Sequence, residues 1–121
     1  MSELSAVGPV VLIGAGKMGS LVARRLKAEG CRAITVLNRA LVSDLPVLTA
    51  SLKHADIVVT STGAPNFVIT PENVAETMEA RPHQPLFIID IAVPRDADPE
   101  VAAIGGVSVV DIDDLKDVVD E

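Results

Sequence analysis

Three glycines that follow a short apolar run are the residues whose types and spacing most directly indicate chemistry. Gly14, Gly16 and Gly19 come after the run V-V-L-I at residues 10–13 and before a segment with helical periodicity. In such a strand–turn–helix unit the first glycine permits a tight turn, the second lets the backbone approach a pyrophosphate, and the third lets the helix pack closely on the sheet. Phosphates would lie at the positive end of that helix. The pattern predicts a dinucleotide-binding site, and the alternative is an ordinary glycine turn.

The end of the second predicted strand indicates which dinucleotide to expect. A site that prefers NAD usually carries a carboxylate there, but this sequence has Asn38 and Arg39. A carboxylate would repel a 2'-phosphate, whereas Arg39 can meet it with two charge-assisted hydrogen bonds. We therefore expect NADP rather than NAD, unless Arg39 is a solvated loop arginine.

A turn and a charged segment follow the next strands at the same predicted edge. Ser61, Thr62 and Gly63 come after the third strand, where open α/β sheets bind ligands, and we expect them to contact the cofactor. Asp90 ends the fourth strand. It would either touch the nicotinamide side or cap its own loop and pair with Arg95 as a structural brace. We favour the brace, because buried charges at such positions are often only paired.

The remaining reactive residue types do not predict a nucleophile or a metal site. Cys31, the single cysteine, lies at the amino end of the second strand, opposite the ligand edge, and we expect a small buried residue. His54 and His83 have no partners at metal-ligand spacing and are expected on the surface. The acids from Asp111 onward indicate a helix start rather than a calcium loop.

Composition limits the class of protein. The 121-residue chain has a formal net charge of -7 and 2% aromatic residues, so we expect no direct nucleic-acid contact by this segment, through charge or through base stacking. Although 49% of residues are hydrophobic, no run reaches the ~18 apolar residues that span a bilayer. The first residues lack a signal-peptide pattern. We expect a soluble, cytoplasmic protein without membrane contact, for which an oligomer is possible but not assured.

Apolar strands alternate with helical segments along the whole chain. This order predicts an α/β fold with a doubly wound parallel sheet, Rossmann-like, in one domain over residues 1–110, with the start of a C-terminal helix at 111–121. Strands are expected at residues 10–13, 33–37, 56–60, 86–89 and 107–110, and helices at 17–29, 45–54 and 71–80.

Two helices carry more detailed expectations. Met18, Leu21, Val22 and Leu26 should form the buried face of the first helix. In the last of the three helices Thr70 should be the N-cap residue, followed by Pro71, with Asn73 short of a full capping box.

The connection after the second strand is shorter than usual. Only 16 residues separate Arg39 from Asp56, where a mononucleotide-binding half normally fits a helix, a third strand and another helix. Without that third strand, the second strand would lie at the edge of the sheet, exposed to pairing with another chain.

Four motifs occur in order: G-A-G-K-M-G, V-L-N-R, T-S-T-G-A-P and I-D-I-A-V-P-R-D-A-D-P-E-V. With them the chain resembles the NADPH-binding domain of glutamyl-tRNA reductase over nearly its whole length. That resemblance implies reduction of a tRNA-bound glutamyl group to glutamate 1-semialdehyde with NADPH, in tetrapyrrole synthesis. It also adds Ala15, Lys17 and Met18 to the cofactor loop and matches Asn38 and Arg39 to the strand-end pair.

The resemblance has limits that keep other functions open. The family's nucleophilic cysteine belongs to a separate catalytic domain, and Cys31 does not match it, so this chain alone should bind NADPH and turn over nothing. One alternative is a non-catalytic module that senses a dinucleotide or joins a partner. Another is a small NAD(P)-dependent dehydrogenase of a different pathway, of the sirohaem or shikimate type. A preceding domain with a reactive cysteine would favour the reductase, and a true start at Met1 would favour the module.

Overall fold

The chain alternates strands and helices in the computed structural model, which describes residues 8–14, 16–31, 33–38 and 45–111. Within these residues the strands are β1 (Val10–Ile13), β2 (Ile34–Leu37), β3 (Ile57–Thr60), β4 (Leu86–Asp90) and β5 (Val107–Asp111). The helices are α1 (Lys17–Ala28), α2 (Leu45–Leu52) and α3 (Pro71–Glu79), with a short 3₁₀ helix at Pro99–Ala103. No helix in this part of the chain combines the length and apolar character needed to cross a membrane.

All five strands are parallel, in the order β2-β1-β3-β4-β5. The sequence prediction of a doubly wound parallel sheet is confirmed. The strand order reverses between β1 and β3, because β2 lies on one side of β1 and the later strands lie on the other. Ligands of open α/β sheets bind at such a switch point, beyond the carboxyl ends of the strands.

Alternate residues of β1 pack on opposite faces of the sheet. Val11 and Ile13 belong to the larger core cluster, with apolar side chains of α2, α3 and the 3₁₀ helix. Val10 and Leu12 belong to the smaller one, with Cys31 and with Val22, Ala23 and Leu26 of α1. Leu12 and Ile13 are fully buried, and burying such a side chain stabilises the fold by ~1.5–3 kcal/mol. This two-sided burial explains why β1 is apolar throughout.

The edge position predicted for the second strand is confirmed. Among the described strands β2 pairs with β1 alone, and the side chain of Val36 is 46% exposed. The predicted burial of Cys31 is also confirmed, since it is 6% exposed.

Helix α1 is rotated relative to the sequence prediction. Met18 and Leu21 are 53% and 52% exposed, so the prediction that they lie on the buried face was wrong. The cause is Gly19, which is buried because α1 packs its backbone against the glycine turn: a Cβ at Gly19 would lie 2.0 Å from the carbonyl oxygen of Gly14. This close approach turns Gly19, Val22 and Leu26 toward the sheet.

Helix α3 begins with a complete capping box, so the expectation that Asn73 falls short of one was wrong. The backbone N–H of Asn73 donates to Thr70 Oγ1 at 3.3 Å, and the backbone N–H of Thr70 donates to Asn73 Oδ1 at 3.0 Å. The amide oxygen of Asn accepts this hydrogen bond as a Glu carboxylate would. Two otherwise unpaired backbone donors are thereby satisfied.

Arg81, which follows α3 in the chain, closes the end of α2. Its side chain is 3% exposed and donates to the carbonyl oxygens of Leu52 at 2.6 Å and Pro85 at 2.7 Å. It also bonds the carbonyls of Lys53, Ala55 and Gln84. Burial lowers the pKa of Arg81, and the charge of Asp56 opposes this. A cation at the negative end of a helix stabilises that helix and pairs its last carbonyls.

The carboxyl-terminal boundaries differ slightly from prediction. Strand β4 extends to Asp90 and β5 to Asp111, so Asp111 is a strand residue rather than the first residue of a helix. The 3₁₀ helix was not predicted; Asp98 caps it by accepting a hydrogen bond from the backbone N–H of Glu100 at 2.9 Å. The acidic helix expected after Asp111 lies outside the described residues and stays a prediction.

Candidate dinucleotide-binding site

The three glycines lie at the carboxyl end of β1, and each meets a different surrounding. Gly14 has φ +119°, and a Cβ there would lie 2.7 Å from Ser61 Oγ. Gly19 packs on the carbonyl of Gly14, as described above. A Cβ at Gly16 would meet no atom of the described residues within 4 Å. Packing therefore requires glycine at Gly14 and Gly19. Gly16 instead leaves open space beside the backbone, as the approach of a pyrophosphate demands.

The amino end of α1 opens onto the same space. Gly16 is the N-cap residue, with extended backbone, and no described side chain caps the helix there. Lys17 and Met18 are exposed in the first turn, and their place in the cofactor loop stays a prediction. The unpaired N–H groups of a helix amino terminus attract anions. Ala15 lies outside the described residues.

The end of β2 is only partly described. Leu37 is buried, and its carbonyl oxygen accepts a hydrogen bond from the backbone N–H of Gly14 at 2.8 Å, so the end of β2 lies beside the glycine turn. Asn38 follows and is exposed. Arg39 lies outside the described residues, so its assignment to a 2'-phosphate stays a prediction.

The turn after β3 reaches the glycine turn through Ser61. The backbone N–H of Ser61 donates to the carbonyl of Ile13 at 2.9 Å. Gly63 has φ +61°, and a Cβ there would lie 2.9 Å from the carbonyl oxygen of Val93. The loop at residues 61–63 is therefore packed between the glycine turn on one side and the loop after β4 on the other.

Thr62 directs its hydroxyl group into the protein and not toward the open space. Thr62 Oγ1 donates to Asp96 Oδ1 at 2.5 Å, and the backbone N–H of Thr62 donates to Asp96 Oδ2 at 2.7 Å. Of the residues predicted in this turn, Ser61 thus lies against the glycine turn, whereas the side chain of Thr62 has a structural partner.

Asp96 is the residue that sequence reasoning missed. It is fully buried, and Thr60 Oγ1, which is also fully buried, donates to its Oδ2 at 2.6 Å. The signal in the sequence was the pair Thr60 and Thr62 at the end of an apolar strand, because buried hydroxyl groups require hydrogen-bond partners. Nothing in the local pattern indicates that the partner lies more than thirty residues later.

Asp90 caps the loop that follows β4. It is 1% exposed, and its carboxylate accepts hydrogen bonds from the backbone N–H groups of Ala92 at 3.1 Å, Asp96 at 2.9 Å and Ala97 at 2.8 Å. Burial raises the pKa of Asp90; the charge of Asp96 adds to this, and the three N–H groups oppose it. The loop-capping part of the predicted brace is confirmed.

The ion-pair part of the predicted brace differs. Arg95 pairs with Asp111 at the end of β5, with Nη1 and Oδ2 2.8 Å apart. The neighbouring strand thus supplies the carboxylate, because β5 ends beside β4 in parallel register, with Asp90 opposite Asp111.

The histidines lie away from this edge of the sheet. His54 and His83 are exposed, as predicted, and with Asp56 they line a cleft of about 540 Å³ at the amino ends of β3 and β4. Within the described ranges, no three His, Cys, Asp or Glu side chains are grouped so that they could hold a metal ion.

Comparison with known families decides the assignment of this fold. A family model described as shikimate / quinate 5-dehydrogenase matches residues 3–118. The chain belongs to this family. Together with the glycine turn at the switch point, membership of the shikimate / quinate 5-dehydrogenase family implies a dinucleotide cofactor.

Curated proteins with similar sequences include glutamyl-tRNA reductases. The chain is 44% identical over 124 residues to glutamyl-tRNA reductase from Shouchella clausii, covering 92% of the chain and 27% of the relative. It is 45% identical over 123 residues to the Geobacillus kaustophilus protein, again covering 27% of the relative. The chain therefore spans about a quarter of the length of the curated relatives it matches.

A solved structure agrees with these sequence relatives. Glutamyl-tRNA reductase from Methanopyrus kandleri superposes with a TM-score of 0.79 at 35% identity, covering 94% of this chain and 32% of that one. The resemblance inferred from the four motifs is confirmed by these matches. The aligned stretch of 124 residues exceeds the length of this chain, so the relative carries additional residues within it.

Proposed function

We propose that the chain is the NADPH-binding domain of a glutamyl-tRNA reductase. The observation that carries this proposal is the open glycine turn at the switch point of a chain 44% identical to such an enzyme. The relatives are about four times as long, so the reaction itself is assigned to the longer protein and cofactor binding to this part.

Different parts of the dinucleotide are assigned to residues on the two sides of β1. The turn at Gly14, Gly16 and Gly19 and the amino end of α1 take the pyrophosphate. Asn38 and Arg39 take the adenosine ribose with its 2'-phosphate. The loop at residues 61–63 borders the nicotinamide half, since it follows the strand on the other side of the switch point. When bound, NADPH supplies the hydride, and the domain holds and orients it.

The acyl-carrying nucleophile of the reaction belongs to another part of the longer protein. Cys31 is 6% exposed, inside the core cluster formed with Val10, Leu12 and Val59, and a thiol buried in this way is inert. With a net charge of -7, this segment would also repel the tRNA backbone. The chain alone is therefore expected to bind NADPH and to reduce nothing.

A calorimetric titration of the purified chain with NADPH, and separately with NADH, tests the proposal. We expect measurable binding of NADPH and weaker binding of NADH. If a chain shown to be folded by circular dichroism binds neither dinucleotide, the proposal is wrong.

One observation favours a second function, that of a non-catalytic interaction module. Strand β2 is an edge strand with an exposed Val36, and such an edge offers unpaired backbone groups to a partner chain. This function predicts that the folded chain associates with itself or a partner through β2 without dinucleotide binding. Analytical ultracentrifugation of the chain and of Val36→Lys, each with and without NADPH, distinguishes the two functions.

A further inference from the structure

We propose that Asp96 is a positioning residue for the nicotinamide half of the dinucleotide, which it serves by fixing the loop at residues 61–63. This proposal rests on the dinucleotide-binding function proposed above and names a residue that does not itself face the ligand. It assigns to the buried Asp96 carboxylate a role in affinity for one half of the cofactor.

The Asp96 carboxylate holds the end of β3 and the loop that follows it with three hydrogen bonds. Oδ2 accepts from Thr60 Oγ1 at 2.6 Å and from the backbone N–H of Thr62 at 2.7 Å, and Oδ1 accepts from Thr62 Oγ1 at 2.5 Å. Hydrogen bonds to an ionised acceptor are about twice as strong as neutral ones. The loop conformation is therefore set by a charged group that reaches across from the loop after β4.

Asp96 is itself anchored through its backbone. Its N–H donates to Asp90 Oδ2 at 2.9 Å, and its carbonyl oxygen accepts from the backbone N–H groups of Val68 at 2.8 Å and Ile69 at 3.0 Å. Because the N–H and the carbonyl of Asp96 are both hydrogen-bonded, the Asp96 carboxylate has a fixed position relative to the loop that it holds. The loop at residues 61–63 is thus pre-ordered before a ligand arrives, which lowers the entropy cost of binding.

The order of the strands indicates which half of the ligand this loop serves. Strand β2, whose end carries the adenosine-side residues, lies on one side of β1, and β3 lies on the other. A dinucleotide that crosses the switch point over the glycine turn extends toward β3 and β4 with its nicotinamide half. Ser61 packs against Gly14, and Gly63 packs against Val93, so both neighbours of Thr62 border that region.

A selective loss of affinity distinguishes positioning from a general contribution to stability. The probes are NADPH and 2',5'-ADP, a fragment that carries the adenosine side and the 2'-phosphate but no nicotinamide. Asp96→Asn keeps the shape of the side chain but removes its charge and turns one acceptor into a donor. We expect Asp96→Asn to bind NADPH about tenfold more weakly and 2',5'-ADP within about twofold of the wild-type chain.

A matched set of variants separates this role from direct contact by Thr62. Asp98→Asn is the control, because Asp98 caps the 3₁₀ helix through Glu100 and should bind both probes like the wild type. Thr62→Val should weaken NADPH binding as Asp96→Asn does, and Thr62→Ser, which keeps the hydroxyl donor, should restore it to within about twofold. In the double variant with Asp96→Asn and Thr62→Val, the two losses of NADPH affinity should not add, since both substitutions remove the hydrogen bond between Thr62 Oγ1 and Asp96.

Each remaining outcome decides against a specific claim. Equal losses for both probes in Asp96→Asn, or additive losses in the double variant, would overturn the positioning role. Wild-type affinity for NADPH in Asp96→Asn would also overturn it while leaving the proposed function intact. A wild-type chain that binds neither probe would overturn the proposed function and this inference with it. If Asp96→Asn does not fold, Thr62→Val decides through both probes: weaker binding of NADPH with unchanged binding of 2',5'-ADP supports the positioning role, and equal losses for the two probes overturn it.

Discussion

At the scale of single residues, two buried charged side chains hold this domain together by bonding backbone groups. Asp90 accepts three backbone N–H groups after β4, and Arg81 donates to five backbone carbonyls around the end of α2. Loops of a parallel sheet leave many such groups without partners, and leaving them buried and unpaired is costly. One charged side chain at each site satisfies several of them at once.

Replacing Arg81 should therefore destabilise the fold. Arg81→Met keeps the apolar stem but removes the guanidinium hydrogen bonds to the carbonyls of Leu52, Ala55 and Pro85. We expect the free energy of unfolding to fall by about 2–4 kcal/mol, measured by urea denaturation. Arg24→Met, at an exposed position of α1, is the matched control and should change it by less than about 0.5 kcal/mol. Equal losses in the two variants would contradict the capping role of Arg81.

Asp90 should make the stability depend on pH. Burial raises its pKa in the folded protein above the ordinary value of 3.8, so between the two values the folded state holds a proton that the unfolded chain has released. The contribution of Asp90 to the free energy of unfolding is then largest at and below pH 3.8 and falls as pH rises through the raised pKa. Urea denaturation across about pH 3 to 7, as the difference between wild type and Asp90→Asn, should show this decline. A difference that grows with pH would refute it.

Arg39 should determine the preference for NADPH over NADH. Arg39→Asp replaces a cation by a carboxylate that repels the 2'-phosphate, so we expect NADPH binding to weaken by about 100-fold and NADH binding to change by less than about threefold. Isothermal titration with both dinucleotides checks this. Losses of similar size for the two ligands would exclude a contact between Arg39 and the 2'-phosphate.

At the scale of elements, the contact between α1 and the glycine turn sets the geometry of the site. Gly19 brings the helix backbone onto Gly14, and this contact rotates α1 so that Met18 and Leu21 face outward. The amino end of α1 is thereby placed beside the end of β1, where its N–H groups can meet a phosphate.

Two alanine substitutions at the glycine turn and α1 should differ in their effect on stability. Gly19→Ala places a Cβ 2.0 Å from the Gly14 carbonyl oxygen, so α1 must shift, and we expect a loss of about 1–3 kcal/mol in the free energy of unfolding. The Cβ of Gly16→Ala meets no atom within 4 Å in the part of the chain that the structure describes, so the free energy of unfolding should change by less than about 1 kcal/mol.

Gly16→Ala should also weaken NADPH binding, although it leaves the stability nearly unchanged. The new methyl group of Gly16→Ala occupies the space assigned to the pyrophosphate, so NADPH affinity should fall by about tenfold or more in a chain of nearly normal stability. Thermal denaturation and NADPH titration of both variants test this. Normal affinity in Gly16→Ala would mean that the phosphates lie elsewhere.

At the scale of the whole molecule, the sequence predicts the sheet because its strands are apolar on both faces and alternate with helices. The edge position of β2 also follows from the 16 residues between Arg39 and Asp56. The interactions that sequence reasoning missed join residues far apart: Arg81 reaches Leu52 and Asp96 reaches Thr60 across separations of 29 and 36 residues. Local periodicity carries no information about such partners, which depend on how the loops meet after folding.

The length of the chain relative to its relatives explains why only cofactor binding is assigned to it. It spans 27% of relatives named glutamyl-tRNA reductase, and its described residues form one sheet with one switch point. Hydride transfer to an acyl group needs a second group of residues that holds the substrate against the cofactor. Under the proposed function, the longer protein supplies that second group of residues.

A titration of the ¹⁵N-labelled chain with NADPH, followed by amide NMR shifts, tests the central claim most directly. We expect the largest shifts at Gly14, Gly16 and Gly19 and in the loop at residues 61–63, with little change in the cleft lined by His54 and His83. Shifts confined to that cleft, or saturation without any change at the glycine turn, would contradict the assignment of this edge as the dinucleotide site.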